Sequence, residues 1–204
     1  MEKDFDVLIV GGSVAGVSCA LILGSAIDKP FMMGKKVGIV MHQKASALHD
    51  ALYYNAYGIV PGKKGKEIME ESVNHLTQTY PKLIQIHGEK VMEVKGTYPE
   101  FTVVTNKNTY FAKQIVVATG NSDAFNIEGL NPYKIPHQKC ITGKTWIQLS
   151  NVNHKVDQGI YVAGTLAGHR SQLTVAAGSG AMVAGDLLVE FNHGEETHVH
   201  DSLK

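Results

Sequence analysis

Apolar residues recur along this chain at two periods, and the switches between them outline its elements. Phe5–Val10 (FDVLIV) is a β-branched apolar run that predicts a buried strand. Small and apolar residues over Val14–Ser25 predict a helix. A second apolar run predicts a strand over 36–41, and an irregular polar and aromatic stretch follows over 42–62. Ile68, Met69, Val73 and Leu76 lie at helical spacing between Lys64 and Tyr80, and Pro81 ends that helix. Short alternating runs at 83–87, 89–95, 100–105 and 109–111 are punctuated by Gly88, Gly96 and Asn106, which predicts one strand and then a small meander. Residues 114–118 return as a buried strand, whereas 121–158 carries Pro132, Pro136 and no strong period. A last strand over 159–164 and a small-residue helix over 171–184 close the pattern. Strands alternating with helices predict an α/β fold. A single domain over 1–191 is expected. Residues 192–204 are expected to form a polar, disordered tail.

Chemistry enters where the first strand meets the first helix. Gly11-Gly12-Ser13-Val14-Ala15-Gly16 holds the first and third glycines of a G-x-G-x-x-G fingerprint, placed after a strand and opening a helix. Gly11 permits the turn, Gly16 lets the helix approach the strand, and the helix N-terminus can hold a pyrophosphate. Ser13 stands at the middle glycine position; it is small and adds a hydroxyl donor. Two further strands end in small residues, QIVVATG (114–120) and GIYVAG (159–164), and SQLTVAAGSGAMVA (171–184) follows the second.

In this order the three segments resemble the FAD domain of thioredoxin-reductase-like flavoproteins, within the pyridine-nucleotide-disulfide oxidoreductase superfamily. The resemblance covers most of residues 4–190 and implies a Rossmann-like parallel sheet with helices and a small β-meander crossover, with FAD as cofactor. It places Gly11, Gly12, Ser13, Val14, Ala15 and Gly16 at the pyrophosphate. Ala118, Thr119, Gly120 and Val91 are implied along the cofactor, and Gly164, Thr165, Gln172 and Leu173 on its flavin half. Two positions depart from the family. The second strand ends in Met41 followed by His42 and Gln43, where an acidic residue would bind the adenosine ribose. Thr165 stands where an Asp would meet the ribityl chain and pyrophosphate. FAD is then held through backbone and hydroxyl groups, or the domain has lost flavin. The surviving glycines, the Ala118-Thr119-Gly120 segment and Gln172 favour retention.

The relatives carry an NADPH domain between the middle segment and the last strand. Here only 121–158 lies there, too short for a βαβ unit, and no Cys-x-x-Cys occurs anywhere. Reduction of thioredoxin through a disulfide is therefore not expected. Electrons are expected from an electron-transfer protein, from NAD(P)H, or from a small-molecule substrate. Tyr133, Ile135, Trp146, Ile147 and Leu149 are candidates to cover a bared surface, within the chain or across a homodimer interface.

Composition narrows the classes further. The chain has 204 residues, 44% of them hydrophobic, with 19 basic against 19 acidic groups. One domain with a sizeable core is expected. The charge balance argues against nucleic acid and against a polybasic membrane surface. No apolar run in the sequence approaches the ~20 residues that span a bilayer, and Met1-Glu2-Lys3-Asp4 leads straight into a strand, so a cytoplasmic chain is expected. Cys19 is expected to be a packing residue, while Cys140 beside Lys139 and His137 is a candidate reactive thiol. His49, Tyr53, Tyr54, Asn55 and Tyr57 crowd the loop 45–62, either packed on the sheet or facing the flavin. No catalytic acid–base pair and no metal site is assigned. Two rival readings stay open: a non-enzymatic nucleotide-binding or interaction protein, and an NAD(P)-binding Rossmann protein without flavin.

Overall fold

A computed structural model describes residues 4–42 and 48–200. Strand β1 (Phe5–Val10) leads into helix α1 (Val14–Ser25), and β2 (Val37–Met41) follows. A short hairpin, β3 (Leu52–Tyr53) and β4 (Lys63–Lys64), precedes helix α2 (Gly65–Thr79) and strand β5 (Ile84–His87). The meander strands are β6 (Val91–Thr97), β7 (Glu100–Thr105) and β8 (Thr109–Val117). After them come β9 (Lys134–Pro136), β10 (Ile147–Leu149), β11 (Lys155–Asp157), β12 (Ile160–Val162) and helix α3 (Leu173–Phe191).

Eight of these strands form one sheet, in the order β11-β12-β8-β1-β2-β5 with β6 and β7 attached beside β8. β5, β2, β1, β8 and β12 run parallel, and Val10 is level with both Val40 and Val117. The runs 109–111 and 114–118 are not two strands. They are one strand, β8, whose first half pairs antiparallel with β7 while its second half pairs parallel with β1 and β12. No breaker separates the two runs, so one extended segment serves both the meander and the main sheet.

Alternation along the strands sorts the core into two clusters, one on each face of the sheet. Val7, Ile9, Ile39 and Val116 pack with Leu23 of α1, Leu76 of α2 and Val183 and Leu187 of α3. Leu8, Val10, Val40, Ile115 and Val162 pack with Phe101 and Val103 of the meander. The second cluster also takes in Phe125, Ile127, Leu130 and Leu149, so the segment 121–158 is not structureless. It forms the β9-β10 hairpin and β11, and it closes over its own sheet. Tyr133 and Ile147, candidates for a two-fold interface, pack against this cluster within the chain.

Helix α3 begins at Leu173 rather than Ser171 and runs past Ala184 to Phe191. By length and composition it could cross a membrane, contrary to the reading of the sequence; 33% of its apolar span is buried, with Val183, Ala184 and Leu187 packed in the first cluster. Beyond it the chain has neither helix nor strand through His200, and Val199 rests against the first cluster, so the tail is not wholly detached.

The α1–α3 contact depends on missing side chains. A Cβ on Gly180 would lie 2.0 Å from the Ala15 carbonyl oxygen, and Ser18 Oγ–H donates to the Ala177 carbonyl at 2.7 Å. Backbone cannot yield as a flexible side chain can, so Gly180→Ala is expected to destabilise the domain by about 1–3 kcal/mol, as over-packed cores do. Urea unfolding measures this, and an unchanged midpoint would contradict the packing described.

Candidate functional site

Parallel pairing brings the carboxyl ends of β1, β2, β8 and β12 to one edge, the place where open α/β sheets bind ligands. Gly11 N–H donates to the Val40 carbonyl (3.0 Å), Ala118 N–H to the Val10 carbonyl (2.8 Å) and Ala163 N–H to the Val117 carbonyl (2.9 Å). The turn 11–13, the segment 118–120 and the turn 164–168 therefore leave the sheet side by side.

Glycine is required at this junction on two grounds. Gly11 has φ +119°, and a Cβ there would meet the Ala118 carbonyl oxygen at 2.3 Å. A Cβ on Gly16 would lie 1.8 Å from the Gly11 carbonyl oxygen, so the first turn of α1 sits directly on the strand end. Val14, Ala15 and Gly16 open that helix, and their N–H groups have no partner within it. Gly164 closes the other side, with φ +74° and a would-be Cβ 2.9 Å from that of Ala15.

The remaining candidates separate into those at the edge and those in the core. Thr119 and Gln172 are exposed, Gly120, Thr165 and Leu173 are half-buried, and Ala118 is buried. Gln172 occupies the N-cap position of α3. Met41 is buried in the first cluster, and its Cγ fills the space where a Gly12 Cβ would point, 2.3 Å away. It therefore supports the glycine turn by packing and offers no polar group to a ribose. Its carbonyl accepts from Gly88 N–H at 3.0 Å. His42 follows, half-buried, with Nδ1 shielded from solvent and no hydrogen-bond partner among the described residues. Gln43 lies outside the described residues. Val91 lies in the second cluster on β6, so its side chain is committed to the core. In the loop 48–62, Tyr54 and Tyr57 are exposed rather than packed on the sheet, and Tyr53 pairs with Lys63 in the β3-β4 hairpin.

Sequence reading missed the side chains that hold the turn 164–168, most of them from 121–158. His137 is buried; its Nε2–H donates to the Thr165 carbonyl (3.0 Å), and its Nδ1 accepts from Lys139 N–H (3.0 Å), which sets the tautomer. Lys139 Nζ donates to the Gly168 carbonyl at 3.0 Å and Asn151 Nδ2 to the Ala167 carbonyl at 3.3 Å. Gly164 N–H donates to Ser179 Oγ at 2.8 Å. Ser179 Oγ lies 3.2 Å from His154 Nε2, which is 2.8 Å from His169 Nε2. His154 reaches this place because Asn153 and His154 both take positive φ, 48° and 68°, in a tight turn that pairs Val152 with Lys155. The Asn153-His154 pair was the available signal, since Asn and His tolerate that conformation best after glycine.

Neither cysteine has a partner cysteine. Cys19 is buried, and desolvation pushes its thiol far above the usual range. Cys140 Sγ points at the carbonyls of Lys144 (3.1 Å) and Ile141 (3.5 Å). No positioned redox thiol follows from that geometry.

Comparison with known proteins agrees with this arrangement. Residues 5–164 match the family described as pyridine nucleotide-disulphide oxidoreductase. The ferredoxin–NADP reductase of Pediococcus pentosaceus is 27% identical over 167 residues, which is 80% of this chain and 48% of that protein. That of Streptococcus thermophilus is 29% identical over 126 residues, 59% of this chain and 36% of that protein. The chain thus spans about half the length of these relatives or less. Among solved structures, an oxidoreductase from Agrobacterium tumefaciens superposes with a TM-score of 0.73 at 17% identity, covering 95% of this chain and 100% of that one. A ferredoxin-flavin thioredoxin reductase from Clostridium acetobutylicum gives 0.68 at 18% identity, covering 95% and 99%. These likenesses establish the shared fold. With the family match running from β1 through Gly164 and enclosing the glycine turn, the chain belongs to the pyridine nucleotide-disulphide oxidoreductase family.

Proposed function

We propose that the chain binds FAD along the carboxyl edge of its sheet and passes electrons between that flavin and a partner. The observation that carries this reading is the cradle at Gly11, Gly16 and Gly164, where backbone (at Gly11 and Gly16) or the Ala15 methyl (at Gly164) leaves no room for a Cβ. Such a cradle brings N–H groups and a helix N-terminus to one place, which suits a pyrophosphate. Protein chemistry at the site is limited to binding and orientation, because the flavin supplies the redox step itself. Thr165 offers a hydroxyl donor where the family has a carboxylate. Gln172 projects from the start of α3, whose N-terminal dipole favours an anionic reduced flavin.

Adenosine recognition differs from the family pattern because Met41 is packed under the turn. His42, with its unsatisfied Nδ1, is the nearest polar side chain on the described strand end and takes the ribose hydroxyls in this reading.

The named activity of the curated relatives joins ferredoxin to NADP. In this chain the stretch between Gly120 and β12 closes over its own sheet and holds no second strand–glycine-turn–helix unit. An electron-transfer protein docking at the flavin edge therefore fits this chain better than a resident nicotinamide domain between those two points. A flavin-free NAD(P)-binding Rossmann protein fits less well. It accounts for the turn 11–16 but leaves Gly164 and the exposed Gln172 without a role.

Two measurements test this reading. Thr165→Val keeps the branched shape and removes the hydroxyl. A hydrogen bond to a charged group contributes about 1.5–3 kcal/mol, so the FAD dissociation constant is expected to rise at least about tenfold. Flavin fluorescence titration reads this, and an unaltered affinity removes Thr165 from the cofactor contacts. Gln172→Ala is expected to leave FAD bound and to shift its two-electron midpoint potential by about 30 mV for each ~1.4 kcal/mol of lost differential stabilisation. A potential identical to the parent protein's places Gln172 outside the flavin's reach.

A further inference from the structure

We propose that His154 and His169 act as a proton-operated latch on the turn 164–168: one proton lies between their Nε2 atoms, and a second parts the rings and loosens the turn. The structural claim stands on the histidine geometry. Its consequence, pH control of cofactor retention, rests on the FAD reading above.

At 2.8 Å the two Nε2 atoms must be donor and acceptor. A neutral pair satisfies this, and so does a pair with one imidazolium. Two imidazolium rings cannot, because two N–H groups of like charge would then point at each other. The latch thus has a charge state in which it cannot stay closed.

The rings are attached to different parts of the molecule. His154 sits on the turn preceding β11, beside Ser179 of α3. His169 follows Gly168, which has φ +86° and ends the turn that carries Thr165. Displacing His169 pulls on this turn from its C-terminal end. Ser179 connects the pair to the opposite end, because its Oγ accepts from Gly164 N–H at 2.8 Å.

Every charged group facing the pair has a definable effect. From α3, the Asp186 carboxylate faces His154 and favours its cation, and Glu196 stands behind Asp186. From the segment before β10, Lys139 and His137 face His169 and oppose its cation. Burial is the largest influence on both rings and holds each below the ordinary imidazole value of 6.5; for His154 the charge of His169 adds to it.

The sign for stability is set by the same depression. The unfolded chain binds more protons than the folded one below 6.5. Stability from the pair is therefore complete above that pH and is lost as pH falls toward the folded values.

Nitrogen-15 NMR of the full-length protein without cofactor tests the latch itself. The two rings are expected to titrate in coupled steps, and the Gly164 amide is expected to move with the second step. Rings that titrate independently, or a Gly164 amide that ignores them, would overturn the proposal. FAD titrations between pH 7.5 and 5.5 test the consequence. A proton excluded by the bound form weakens binding by up to about tenfold per pH unit, whereas His169→Gln, which keeps an N–H donor without a titrating ring, is expected to flatten the profile. An equally steep profile in H169Q would overturn the coupling. Coupled rings and a responsive Gly164 in a protein that binds no FAD at any pH would uphold the latch and refute the FAD reading alone.

Discussion

The structure depends on how closely the first turn of α1 lies against backbone. Gly16 sits on the Gly11 carbonyl, Gly180 on the Ala15 carbonyl, and Gly164 beside the Ala15 methyl. Strand end, helix start, last turn and last helix thus meet in close contact, with no side chain between them larger than the Ala15 methyl. Interiors are packed to the density of organic crystals, so contacts of this kind do not stretch to admit a methyl group. The same contacts bring N–H groups together at the sheet edge. Packing and the candidate site are in this sense one arrangement.

The crossover between Gly120 and β12 is built from short strands and packed loops. Residues 121–158 are spent on sealing their own sheet with Phe125, Ile127, Leu130 and Leu149 and on bracing the turn 164–168 with His137, Lys139 and Asn151. Those four apolar residues are buried within the chain, whereas Ile141 and Val152 of the same segment are exposed. The brace is polar and reaches backbone carbonyls, so it holds position without contributing much to the core. The turn is anchored by apolar packing as well, since Leu166 and Ala167 lie in the second cluster.

Met41 shows how packing can stand in place of a polar contact at the end of β2. Strand β2 ends level with the glycine turn, so the side chain at that end either faces a ligand or fills the gap beside Gly12. A long, flexible thioether fills it. The departure from an acidic residue therefore changes what supports the turn as well as what can touch a ribose, and it leaves His42 as the described polar neighbour.

Period and punctuation in the sequence were sufficient for the fold class, the strands β1 and β2, helices α1 and α2 and the glycine turn, because these signals are local. An apolar run, a proline or a turn glycine acts within a few residues of itself. Thr165 and Gln172 could be singled out by offset from Gly164 and from Ala177-Gly178, since those offsets follow from the shape of the last turn and helix. Only the tertiary structure decided that β8 joins the antiparallel meander to the parallel strands of one sheet, that Val91 and Met41 belong to the core, and that 121–158 closes on its own domain. It alone brought His154, His169 and Ser179 together, from a turn, a loop and a helix that carry no mutual signal. Contacts between residues far apart in the chain are set by how layers pack, and no local period encodes them.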